Sequence, residues 1–109
     1  MIMNHLKFDA LEYLKNFEYS FANGPDVDVI IEFLEFLKNI GVEKCTVGLD
    51  KILDFDEDEM KTFPTAELWI HFPDVVPTEF MISTMIEIGH LRPDEIDQEE
   101  DGSLRLWWD

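Results

Sequence analysis

The sequence predicts an α+β fold in a single domain, 1–109, with two N-terminal helices, a small antiparallel sheet and a third helix before a C-terminal hairpin. Three observations predict it. Asp28, Glu32, Glu35 and Asn39 make one narrow polar stripe on an otherwise apolar stretch, as on a helix with one wetted side. Ala66, Leu68, Ile70 and Phe72 alternate with Glu67, Trp69 and His71, which is strand periodicity. The dipeptide Asp101-Gly102 precedes a second alternating run at 103–108 and suits a tight hairpin turn, whose central residues must accept positive φ.

Each element has its own warrant. Asp9, with Glu12 three residues later, is an N-cap signal, and Ala10, Leu14, Phe17 and Phe21 follow at helical spacing, so a first helix is expected over 10–19. The alternation of Phe17, Tyr19 and Phe21 offers an extended alternative for its end. Asn23-Gly24-Pro25-Asp26 stops the segment. The second helix is expected over 25–40, with Lys38 complementing its negative end and Gly41 supplying a left-handed stop. A strand at 43–50 places Cys45, Val47 and Leu49 on one face. The acidic run Asp54, Phe55, Asp56, Glu57, Asp58, Glu59 and the following 60–65 read as a loop.

A strand at 66–72 ends at Pro73. Thr78 is positioned to cap a third helix over 78–88, with Phe80, Met81, Thr84, Met85 and Ile88 as its apolar face before Gly89. In the last strand Leu104, Leu106 and Trp108 face the core, and Arg105 and Trp107 face away. The stretch before the turn is almost wholly charged, which makes it either an acid-protected edge strand or an acidic loop.

Twenty-five acidic residues against eight basic give a formal charge of −17 in 109 residues. Such a field repels nucleic acid phosphates and anionic lipid and attracts basic surfaces. Solubility alone is one account of the charge. Disorder is not, because 46% of the chain is hydrophobic and 13% aromatic. The lone Cys45 excludes an internal disulfide and a cysteine-rich zinc site, and it suits a reducing compartment as a small buried hydrophobe. Residues 1–7 lack the apolar region of a secretion signal and no run reaches the ~20 apolar residues of a membrane span, so a cytoplasmic protein is expected.

The residues offer little conventional chemistry. Asp97, Glu99, Asp101 and Gly102 match the opening of a calcium loop, but Trp108 stands where its closing glutamate belongs. Asp54, Asp56 and Asp58 match less well, with Glu59 at the glycine position. His5, His71 and His90 are widely separated and show no His-x-x-x-His pattern. There is no Gly-x-Ser-x-Gly elbow and no glycine-rich phosphate loop. Neither catalysis nor a cofactor is expected.

Acids beside outward aromatics do form a pattern. Trp69 lies between Glu67 and His71, and Trp107 between Arg105 and Asp109, a composition that fits an interface anchor unless a helix covers that face. Asp54, Asp56, Glu57, Asp58 and Glu59, with Glu95, Asp97, Glu99, Glu100 and Asp101, are candidates to meet lysines and arginines of a partner; Glu67, Trp69, His71 and Trp107 complete that surface. The helical stripe Asp28, Glu32 and Glu35 is a third candidate surface. In size, acidity and absence of catalytic motifs the chain is similar in type to bacteriocin and contact-dependent-inhibition immunity proteins. That likeness implies an immunity protein that binds a basic nuclease-type toxin domain; the charge argues against nucleic acid and membrane as partners and, with the outward tryptophans, leaves a monomer or weak homodimer expected. The rival is a DNA mimic that inhibits restriction, CRISPR or other DNA-binding machinery. A small acidic hydrolase or metal-binding protein is the further alternative.

Overall fold

The computed structural model describes residues 2–54 and 59–109, with side chains from 4–53 and 60–109. These residues form an α+β fold of three helices and a five-stranded antiparallel sheet in the order β1-β2-β3-β5-β4. Along the chain run β1 (Ile2–Asp9), α1 (Ala10–Asn16), α2 (Val27–Asn39), β2 (Lys44–Asp54), β3 (Glu59–His71), α3 (Thr78–Leu91), β4 (Glu95–Gln98) and β5 (Leu104–Trp107).

Strand β1 is an addition to the sequence reading. It pairs with β2 from Ile2↔Leu53 to Asp9↔Thr46, and its last residue, Asp9, caps α1 by accepting a hydrogen bond from the Glu12 N–H at 3.0 Å. Helix α1 is shorter than expected: Phe17 is already extended, as the alternation of Phe17, Tyr19 and Phe21 allowed. Helix α2 matches its pattern closely. Ile30, Phe33, Leu34 and Leu37 are buried, while Asp28, Glu32, Glu35 and Asn39 are exposed. It ends in a Schellman motif, in which Val42 N–H donates to Leu37 O and Gly41 N–H to Lys38 O, with Gly41 at φ 95°.

Residues 60–65, expected in a loop, belong to β3, and Asp54 and Glu59 end paired strands. The sheet ladder satisfies these backbone groups whether or not the side chains alternate. Pro64 is tolerated because the register jumps there: Val47 faces Leu68 and Leu49 faces Pro64, with Ala66 in the left-handed region at φ 59°. Ala66 therefore sits in a bulge instead of opening a regular strand.

Helix α3 begins after Pro77, whose carbonyl accepts from Phe80 and Met81 N–H, and no Thr78 side-chain cap forms. It also continues through Gly89 to Leu91. Arg92 takes the left-handed stop at φ 52°, and Trp108 Nε1 donates to the terminal Leu91 carbonyl at 2.9 Å. Met85, expected in the core, is exposed; Thr84, Ile88 and Leu91 are the buried residues of this helix. At the last hairpin, Gly102 alone has positive φ. Gly102 N–H bonds Glu99 O and Glu99 N–H bonds Ser103 O, so the turn is longer than a two-residue one.

The helices cover one face of the sheet. Ala10, Leu14, Ile30, Phe33, Leu34, Leu37, Ile88 and Leu91 from the helices cluster with Cys45, Val47, Leu68, Ile70 and Leu106 from the strands. Trp108 seals the cluster beside Phe21, their rings edge-on at 5.3 Å, and lies so close over Gly24 that a Cβ there would come within 2.6 Å of it. No described helix is long and apolar enough to cross a membrane.

Candidate functional site

Pleating sends Glu67, Trp69 and His71 of β3, and Arg105 and Trp107 of β5, to the sheet face opposite the helices. Register fixes their neighbours. Trp69 lies between Thr46 and Arg105, with Asp97 beyond on β4; Trp107 lies between Glu67 and Glu95. The predicted outward set thus converges on one open face bordered by the edge strand β4.

Trp69 is not available as an anchor. It is 7% exposed, although no helix is what covers it. Its ring packs on Gly48, where a Cβ would stand 3.0 Å from the indole, and Lys7 Nζ lies 4.0 Å from the ring centroid. Lys7 comes from β1, which the sequence reading lacked. Trp107 is half-buried and keeps part of its surface in solvent.

Arg105 organises the acids around it. Its Nε donates to Glu67, and its Nη1 to Glu95 at 3.1 Å and Asp97 at 3.0 Å. Burial pulls the guanidinium pKa down, but the hydrogen bonds it donates to Glu67 and Glu95 outweigh it and the net shift is upward. Where these three carboxylates meet, their cation is supplied by the chain itself. Among the described residues no group of three or more His, Cys, Asp or Glu side chains could hold a metal ion.

Asp101 is committed to its turn. It accepts from the Ser103 hydroxyl at 2.6 Å and the Ser103 N–H at 2.9 Å, bonds that hold its carboxyl below the usual range. Its other oxygen lies 3.9 Å from His71 Nδ1. Partial burial, with help from Lys44, lowers the His71 pKa despite Asp101, so the ring is neutral near pH 7. Glu99 and Glu100, in contrast, have no side-chain hydrogen bond or ion pair among the described residues.

Asp56, Glu57 and Asp58 lie outside the described residues. Asp54 and Glu59 are placed only as the last pair of the β2–β3 ladder. The helical stripe Asp28, Glu32 and Glu35 stands apart on α2, with Glu35 paired to Lys15 at 3.2 Å. The surface that residues from several elements build together is therefore the open face near β4. It holds a depression of about 470 Å³ lined by Lys7, Glu67, Trp69, Glu99, Glu100, Asp101, Ser103 and Arg105. Comparison with protein-family models, curated proteins and solved structures gives no match, so the charges and contacts of the chain itself carry the functional reading.

Proposed function

We propose that this protein is a cytoplasmic immunity protein, a stoichiometric inhibitor that binds a basic, nuclease-type toxin and performs no chemistry of its own. The observation that carries the reading is the uncommitted charge at the β4–β5 turn. Glu99 and Glu100 have no side-chain partner among the described residues, they line a depression of the open sheet face with Glu67 and Arg105, and the molecule around them carries −17. A nuclease must present cations to hold phosphates, so carboxylates can occupy its cleft or rim without being cleaved. Glu95 and Asp97 offer their remaining lone pairs at the same edge, already oriented by Arg105.

Capture with the tagged protein from its native lysate, followed by mass spectrometry and a nuclease assay, tests this reading. One basic partner whose nuclease activity falls to zero at equimolar inhibitor supports it. A spread of DNA-binding proteins displaced by duplex DNA points to DNA mimicry, and capture of no basic protein overturns it. With the partner in hand, Glu99→Lys with Glu100→Lys slows association by on the order of tenfold at low salt and flattens its salt dependence. Because these side chains hold nothing in the fold and the change reduces the net negative charge, the thermal midpoint does not fall below that of the parent.

A further inference from the structure

Helix α3 is apolar on two sides, and only one of them is packed. Thr84, Ile88 and Leu91 point into the core, while Ile82 and Ile86, one turn apart, project from the opposite side at 56% and 54% exposure. Met85 beside them is 45% exposed, and the exposed Gly89 continues the stripe by a further turn. A helix apolar all round ordinarily belongs in an interior. This fold solvates a helix elsewhere, since α2 puts Asp28, Glu32, Glu35 and Asn39 on its outward side. Isoleucines at the crest of α3 therefore mark a surface that something covers.

The charges beside the stripe select the occupant. Exposed Glu79 and Glu87 border it, and α3 contains no lysine or arginine; its one titratable cation is His90, 3.8 Å from Glu87. A second copy would set like borders against each other and bring −17 to meet −17. A cationic segment meets apolar crest and acidic border together. We propose that the outer face of α3 docks an amphipathic basic helix of the partner, whose apolar residues at i, i+3, i+4 and i+7 pack on Ile82, Met85, Ile86 and Gly89 while its lysines or arginines lie beside Glu79 and Glu87. Gly89 has nothing within 4 Å of its missing Cβ, so a partner backbone can come close there. This rests on the reading of the partner as basic, and it adds an apolar contact on the helix-covered side of the molecule, the side opposite the face that carries Trp69.

A synthetic probe tests the surface without the partner. A fluorescein-labelled helical peptide with leucines at i, i+3, i+4 and i+7 and lysines elsewhere is titrated with the full chain by anisotropy at moderate salt, beside a peptide of the same composition with the leucines scattered. The periodic peptide binds more tightly than the scattered one. Ile82→Ser with Ile86→Ser weakens it by on the order of tenfold or more. Glu79→Gln with Glu87→Gln weakens it less and reduces its salt dependence, and Glu99→Lys with Glu100→Lys leaves the periodic peptide's advantage over the scattered one unchanged. Equal binding of the two peptides, failure of the periodic one to bind, or no loss in the serine pair overturns the proposal. So does a dimer in light scattering that the serine pair dissolves, which would make a second copy the occupant. Because no toxin enters the experiment, its failure leaves the immunity reading standing, and a failed nuclease capture leaves the docking surface standing.

Discussion

At the scale of the residue, Cys45 is a titratable group taken almost wholly out of water. It is buried at the inner side of β2 beneath α1 and α2, and burial, with the nearby Asp9 charge adding to it, pushes its thiol up to about 12. Two consequences can be measured. Ellman's reagent at pH 8 leaves the native thiol untouched and reacts once urea unfolds the chain. Linkage supplies the second. The folded pKa lies above the ordinary value of 9.0, so the stabilising contribution is complete below pH 9 and is lost as pH rises toward about 12. Tyr19, held up to about 12 by its own burial while its hydroxyl donates to Gly48 O at 2.8 Å, adds the same trend above pH 10. Cys45→Ala should therefore show a shallower alkaline decline in urea midpoint than the parent. Parallel slopes above pH 9 would contradict this assignment.

At the scale of the element, Arg105 ties β3, β5 and β4 together. Its side chain and that of Glu67 are each 19% exposed, whereas Glu95 and Asp97 are 52% and 59% exposed, so the Glu67 pair dominates and the outer two add little. Arg105→Met leaves the Glu67 carboxylate half-buried without its cation, and should lower stability by about 1–3 kcal/mol while speeding amide exchange in β4. Adding Glu67→Gln removes the stranded charge and recovers part of that loss in urea titration. A double variant no more stable than the single one would show that the guanidinium acts through packing alone.

These same elements mark how far the sequence could be read. Helix α2 and the two core-facing rows, Leu68 with Ile70 and Leu106 with Trp108, were legible because one side of each is wet and the other dry, and that contrast is written in local spacing. Strand β1 and the first half of β3 were not. Around Lys51, Lys61, Thr62 and Pro64 the strands run beyond the helices, so no dry side imposes alternation and the ladder alone fixes the structure. The outward direction of Trp69 was legible, but its cover was not, since Lys7 reaches it only through a pairing with β2 that no local pattern announces. On α3 the stripe Ile82–Ile86 was present in the spacing but was hidden by the equally apolar core side.

At the scale of the whole molecule, the charge that favours a basic partner also opposes folding. Eight lysines and arginines stand against 25 acids, and among the described residues Arg105 serves three carboxylates, Lys15 pairs with Glu35, and Lys7 lies over Trp69. Folding gathers this charge within a radius of gyration of 14.9 Å, against roughly 30 Å for an unfolded chain of about this length, so self-repulsion is greater in the native state. The Debye length falls from about 30 Å at 0.01 M salt to about 10 Å at 0.1 M, crossing the dimensions of the molecule. Sodium chloride should therefore raise the urea midpoint, most steeply below about 0.1 M. The partly buried Glu67–Arg105 pair, being less screened, should hardly offset the gain. Choline chloride at equal ionic strength should act alike, because the effect depends on screening and not on a specific cation. A midpoint that is flat or falling with either salt would mean that the acids repel one another too weakly to matter for stability, and would weaken the same long-range field as a means of steering a basic partner.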